Sequence, residues 1–169
     1  MSTYHRTTRE CLASQLKPEL LVAMRAFFQT HNLGEVESES LLCCETLSQK
    51  TEASWLSSWL DGRADTKIYT GIVLTASSLI WVRMGDQSVV HTVGANLMNI
   101  RTRSQISPFS KETRLEINGL VEGAKSIIRG SIALGPEPAA QTFCEEVYQA
   151  IEKIKPTPGR KWPSWMGGH

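Results

Sequence analysis

At 169 residues the chain has the size of one domain, and folding at that length buries roughly two-thirds of the unfolded surface. Its hydrophobic fraction of 41% and charged fraction of 21% are those of a globular protein. A formal net charge of +1 excludes a global field that would recruit nucleic acid or an anionic membrane, and leaves only local patches to do so.

Residues 1–15 are polar and read as a frayed arm or a short helical turn. Arg6 and Arg9 are followed by no apolar run that could serve as a signal core. No stretch of 18 apolar residues exists, so no transmembrane segment is expected and a cytoplasmic location follows by default. Leu20, Ala23, Met24, Phe27 and His31 recur at three- and four-residue spacing, which predicts a helix over 18–31. Pro18 suits its first turn, where the missing N–H costs nothing, and Gly34 suits its exit. The acidic run Glu35, Glu37 and Glu39 reads as a linker.

Residues 41–49 alternate like a strand. In 53–60, Trp55 and Trp59 share one face of a short helix, as do Leu56 and Leu60. The clearest hairpin follows: 68–75 and 79–84 are rich in β-formers and are joined by Ala76, Ser77 and Ser78. Residues 89–93 and 97–103 predict a third strand bent at Gly94. Leu115 and Ile117 alternate with Arg114 and Glu116, and 126–134 predicts the last strand. Pro136 and Pro138 end it, since proline removes a ladder donor, and Pro138 opens a helix carrying the stripe Phe143, Val147, Ala150, Ile151 and Ile154. Pro156 and Pro158 stop that helix, and 157–169 reads as a flexible Pro/Trp tail.

About seven short antiparallel strands followed by one amphipathic helix resemble the bacterial pleckstrin-homology (PH)-like domains. The resemblance is carried by 69–82, Tyr-Thr-Gly-Ile-Val-Leu-Thr-Ala-Ser-Ser-Leu-Ile-Trp-Val, which is similar to the family's strand–turn–strand. The closing segment from Ile132 to Phe143 and Val147 is similar to its last strand and capping helix. The resemblance implies a mainly-β α+β fold, a PH-like barrel capped by the C-terminal helix. Residues 1–40 then form an N-terminal arm and helix, 41–156 the barrel domain and 157–169 the tail.

Chemistry is sparse. No Gly-x-Ser-x-Gly elbow exists, and the histidines His5, His31, His91 and His169 show no paired metal-ligand spacing. The cysteines Cys11, Cys43, Cys44 and Cys144 lack CxxC spacing and read as reduced structural thiols. A thiolate pair of Cys43 or Cys44 with His91 is the one nucleophilic arrangement open to the chain. No cofactor, metal or nucleic acid is expected. The resemblance implies a non-catalytic binding or scaffolding module, acting through a protein partner or self-association by strand addition at a sheet edge. Trp55, Trp59, Trp162 and Trp165 are its candidate interaction residues. The alternative is a lipid or anionic-headgroup binder, with Lys50, Arg63 and Lys67 converging on phosphate. A second basic set, Arg101, Arg103 and Lys111, flanks a loop. A small enzyme without a recognisable motif is the remaining alternative.

Overall fold

The structure is a computed structural model that describes residues 4–51, 65–87, 89–109 and 111–155. Its elements are strand β1 (Tyr4–Glu10), helices α1 (Pro18–Thr30) and α2 (Val36–Glu39), strands β2 (Leu42–Lys50), β3 (Lys67–Leu74), β4 (Ser78–Gly85), β5 (His91–Asn96), β6 (Ile100–Ile106), β7 (Thr113–Gly119) and β8 (Ile128–Ala133), and helix α3 (Pro138–Ile154). Short 3-10 turns lie at Ala13–Gln15 and Leu97–Asn99. Every strand pairs antiparallel with its neighbours in chain order, giving a five-stranded sheet β1-β2-β3-β4-β5 and a three-stranded sheet β6-β7-β8.

Several expectations need correction. Among the described residues there are eight strands rather than about seven, and no closed barrel, because no ladder joins β1 to β8 or β5 to β6. The added strand is β1, where the polar sequence predicts an arm. Only Thr8 of its side chains is fully buried. An edge strand is held by its backbone ladder to β2 and carries little of the apolar alternation that marks a strand in sequence. Another difference lies at 97–99. The 3-10 turn there ends β5 and hands the chain to the second sheet, so that 89–103 is two strands in two sheets.

Two apolar clusters hold the layers together. Alternation on β2, β3 and β4 sends Cys43, Val73, Ile80 and Val82 to one face, which α1 covers with Leu20, Leu21, Met24 and Phe28. The opposite face presents Cys44, Ile72, Leu74 and Leu79 to the second sheet and to α3, which contributes Ala140, Phe143, Cys144, Val147 and Ile151. Each fully buried side chain of this kind is worth roughly 1.5–3 kcal/mol. The helix therefore lies across one end of the space between the sheets.

Helix α1 stops two residues after Phe28, the last buried side chain of its apolar stripe. Asn32 takes the left-handed conformation with φ 53°, and the Leu33 amide donates back to the Phe28 carbonyl at 2.9 Å. That is the termination expected of a residue tolerant of positive φ, with asparagine in the place where glycine was expected.

Candidate functional site

The inward face of the larger sheet changes character from one end to the other. Register places Leu42, Leu74, Leu79 and Ala95 in one cross-strand row, and Cys44, Ile72, Trp81 and Val93 in the next. The following row is Thr8, Thr46, Thr70, Arg83 and His91, and the one beyond it starts with Arg6, Ser48 and Ile68. The apolar rows lie under α3. The hydroxyl and arginine rows open at the other end into a cleft of about 210 Å³, lined by Tyr4, Arg6, Thr70, Trp81, Arg83 and residues of β8.

Near its top the seam between β1 and β8 is bridged by side-chain hydrogen bonds. The Gly135 amide donates to Thr8 Oγ1 at 2.7 Å, and the Thr8 amide donates to Glu137 Oε2 at 2.8 Å. Arg6 Nη1 donates to Glu112 Oε2 at 2.7 Å in a half-buried ion pair. Gly135 is required here, because a Cβ would stand 2.9 Å from the Thr8 nitrogen and 3.0 Å from the Arg6 carbonyl oxygen. The cleft is smaller than the roughly 300–1,000 Å³ usual for small-molecule sites. Among the described residues that line it there is no carboxylate pair and no nucleophile beside a base.

The second sheet turns a different surface outward. Ile100, Leu115, Ile117 and Ile132 point inward and are buried. Alternation then faces Arg101 and Arg103 of β6, Arg114, Glu116 and Asn118 of β7, and Arg129 and Ser131 of β8 to solvent. Asn118 stands between Arg101 and Arg129 in register, and Glu116 stands between Arg103 and Ser131. Four arginines against one glutamate give the face a net +3, in a chain whose total is +1. Among the described residues none of the four arginines makes an ion pair. A shallow depression of about 450 Å³ lies over Glu116, Asn118, Arg129 and Ser131. Lys155, at the end of α3, donates to the Ile100 carbonyl. Desolvation, helped by the Arg101 charge, pulls its pKa below the usual lysine value.

The residues singled out from sequence distribute as follows. Lys50 and Lys67 both lie at the end of the larger sheet, but on opposite faces. Lys50 follows the inward series Thr46 and Ser48, whereas Lys67 precedes the outward series Tyr69 and Val73. Asp86 accepts bonds from the Thr66 amide and hydroxyl and from the Lys67 amide, so that end is acidic as well as basic. Arg63, Trp55, Trp59, Trp162 and Trp165 lie outside the described residues. Arg101 and Arg103 share one face, as the sequence indicated, and they are joined there by Arg114 and Arg129. Those two are separated from them by 11 or more positions and can be added only once the strand pairing is known.

Cys43 and His91 are not brought together. Three ladder steps, roughly 14 Å, separate β2 from β5, and Cys43 and Cys44 are buried on opposite faces. Among the described residues no group of three or more His, Cys, Asp or Glu is placed to hold a metal, and no helix is long and apolar enough to cross a membrane. No family model matches the chain, and no curated protein matches it.

Proposed function

We propose that the protein is a non-catalytic, PH-like binding module that docks on an acidic protein surface through the outward face of β6, β7 and β8. Seven consecutive antiparallel strands, β2 to β8, in two sheets followed by α3 support the PH-like reading, with β1 and α1 as additions and an open seam in place of a closed barrel. The observation that carries the binding reading is the arginine face. Arg101, Arg103, Arg114 and Arg129 gather on one exposed face with Glu116 as the one acidic side chain among its strand positions, and none of the four has an ion-pair partner within the described residues; such a local positive patch favours an anionic partner surface. Arginine is also the cation best suited to carboxylate, because its planar fork binds both oxygens. A symmetric dimer through this face would set arginines against arginines, so the partner is not a second copy bound by the same patch.

A second reading has its own observation. Phe109, in the turn between β6 and β7, is 97% exposed and lies two residues from Lys111. An exposed aromatic beside basic residues suits the boundary of an anionic bilayer. One titration tests both readings. A fluorescent poly-glutamate peptide and vesicles of phosphatidylcholine with phosphatidylserine are each mixed with the protein and with its Arg101→Glu/Arg129→Glu variant. Salt-sensitive binding of the peptide, lost in the variant, supports the acidic protein surface. Binding to the vesicles alone, lost on Phe109→Ser, transfers the function to the membrane. Binding to neither, or binding that the charge reversal leaves intact, refutes the proposal.

A further inference from the structure

The β1–β2 ladder has an additional pair beyond Glu10 and Cys44. The Cys11 amide donates to the Cys43 carbonyl at 3.1 Å, and the two Sγ atoms stand 3.8 Å apart. Directly paired residues on antiparallel strands have Cα atoms roughly 4.5–5.5 Å apart, inside the span a disulfide bridges. Bond formation needs the sulfurs to approach by about 1.8 Å, which side-chain rotation supplies without moving the strands. Both are free thiols, as are Cys44 and Cys144.

From this geometry we infer that Cys11 and Cys43 form a peroxide-oxidisable dithiol, in which Cys11 is the attacking sulfur and Cys43 the resolving one. Access is asymmetric in the required sense. Cys11 is half-exposed and lines an open depression of about 200 Å³ with Ser14, Glu37 and Ser40, while Cys43 is 3% exposed beneath it. The electrostatics agree. The Cys43 hydrogen bond, assisted by the Arg9 charge, lowers the Cys11 pKa, and the same contact together with burial raises that of Cys43. Burial also raises both remaining thiols, and neither stands opposite another cysteine in a ladder.

The chemistry balances with hydrogen peroxide as the oxidant. The Cys11 thiolate attacks one peroxide oxygen, the O–O bond breaks, and the departing hydroxide takes a proton and leaves as water. Cys11 is then a sulfenic acid. The Cys43 sulfur attacks that sulfur; the S–S bond forms, the S–O bond breaks, and the leaving hydroxide takes the Cys43 proton as a second water. The two thiols lose two electrons and the peroxide gains them. The bond closes a loop from 11 to 43 that contains α1 and α2, and it fastens β1 at its inner end.

The test uses the full chain, treated with hydrogen peroxide, quenched with an alkylating agent and digested. The expected product is one cross-linked peptide joining Cys11 to Cys43, two hydrogens lighter than the reduced pair, with Cys44 and Cys144 still alkylatable after unfolding. Oxidised protein melts roughly 5–10 °C above reduced protein, and Cys11→Ser abolishes both the product and the shift. Cys43→Ser leaves Cys11 as a sulfenic acid that dimedone traps. Should that buried substitution prevent folding, the wild-type peptide map and Cys11→Ser decide the matter alone. No cross-link, a cross-link through Cys44 or Cys144, or only intermolecular Cys11 pairs would each overturn the inference.

Discussion

Thr8 and Gly135 stand 127 positions apart and meet at 2.7 Å, the glycine amide donating to the threonine hydroxyl. The same hydroxyl lies 2.8 Å from Thr46 Oγ1. The pair forms the upper closure of the seam between the two sheets, in a place where the backbone ladder is missing. Valine fits the space of threonine but leaves a buried amide without its acceptor. Thr8→Val is expected to cost ~1–3 kcal/mol by that mechanism, read as a lower urea midpoint at unchanged slope. Thr8→Ser retains the hydroxyl and is expected to lose much less. Equal losses in the two variants would mean that the methyl group matters and the hydrogen bond does not.

Gly94 on β5 lies under the ring of Phe27 from α1, and a Cβ there would overlap that ring. Phe27 is in turn stacked on His31, with ring centroids 4.1 Å apart, so it is not free to swing aside at no cost. Gly94→Ala is expected to destabilise by roughly 1–3 kcal/mol through overpacking. Shrinking the ring to leucine in the same molecule is expected to return part of that loss. A double-mutant cycle measures the coupling, and a coupling near zero would remove Phe27 as the cause.

How far the sequence alone reaches can be judged from particular elements. Helices α1 and α3 and the hairpin β3–β4 each combine a clean period with a proline start or short turn, so pattern and structure agree. Strand β1 was hidden because an edge strand with one buried side chain has almost no apolar pattern to read. The break at 97–99 was hidden because Leu97 and Ile100 are both buried, so a turn between two sheets has the composition of a continuous strand. The candidate surfaces follow the same rule. Arg101 and Arg103 are neighbours in sequence, whereas Arg114, Arg129 and the pairing of Cys11 with Cys43 depend on register, which no single segment encodes.

Burial of the Cys44 and Cys144 thiols makes stability fall with rising pH. Desolvation pushes the Cys144 pKa up to about 11 from a free value of 9.0, and raises that of Cys44 as well. A thiol that ionises later in the folded state holds more protons there than in the unfolded chain, so the free energy of unfolding decreases with pH. Its contribution is complete below pH 9.0 and is lost as pH rises towards about 11. Unfolding free energies measured from pH 8 to 11 are expected to decline, and the Cys144→Ala variant, though less stable at neutral pH, is expected to decline less steeply. Parallel slopes would show that Cys144 ionises in the native state as it does in water.

Phe143 tests whether α3 closes the end of the space between the sheets. Its ring is 1% exposed and belongs to the cluster formed by Ile72, Leu115, Ile117 and Val147. The helix meets both sheets through that stripe, and its polar face, with Glu145, Glu146, Gln149 and Glu152, is exposed to water. Truncation removes the largest side chain that α3 buries and leaves a cavity that the two sheets, held by their ladders, cannot collapse into. Phe143→Ala is therefore expected to destabilise by ~3–5 kcal/mol. A surface control on the same helix, Glu145→Ala, is expected to stay within roughly 0.5 kcal/mol. A Phe143→Ala loss below ~1 kcal/mol in urea unfolding would mean that the helix rests on the surface and caps nothing.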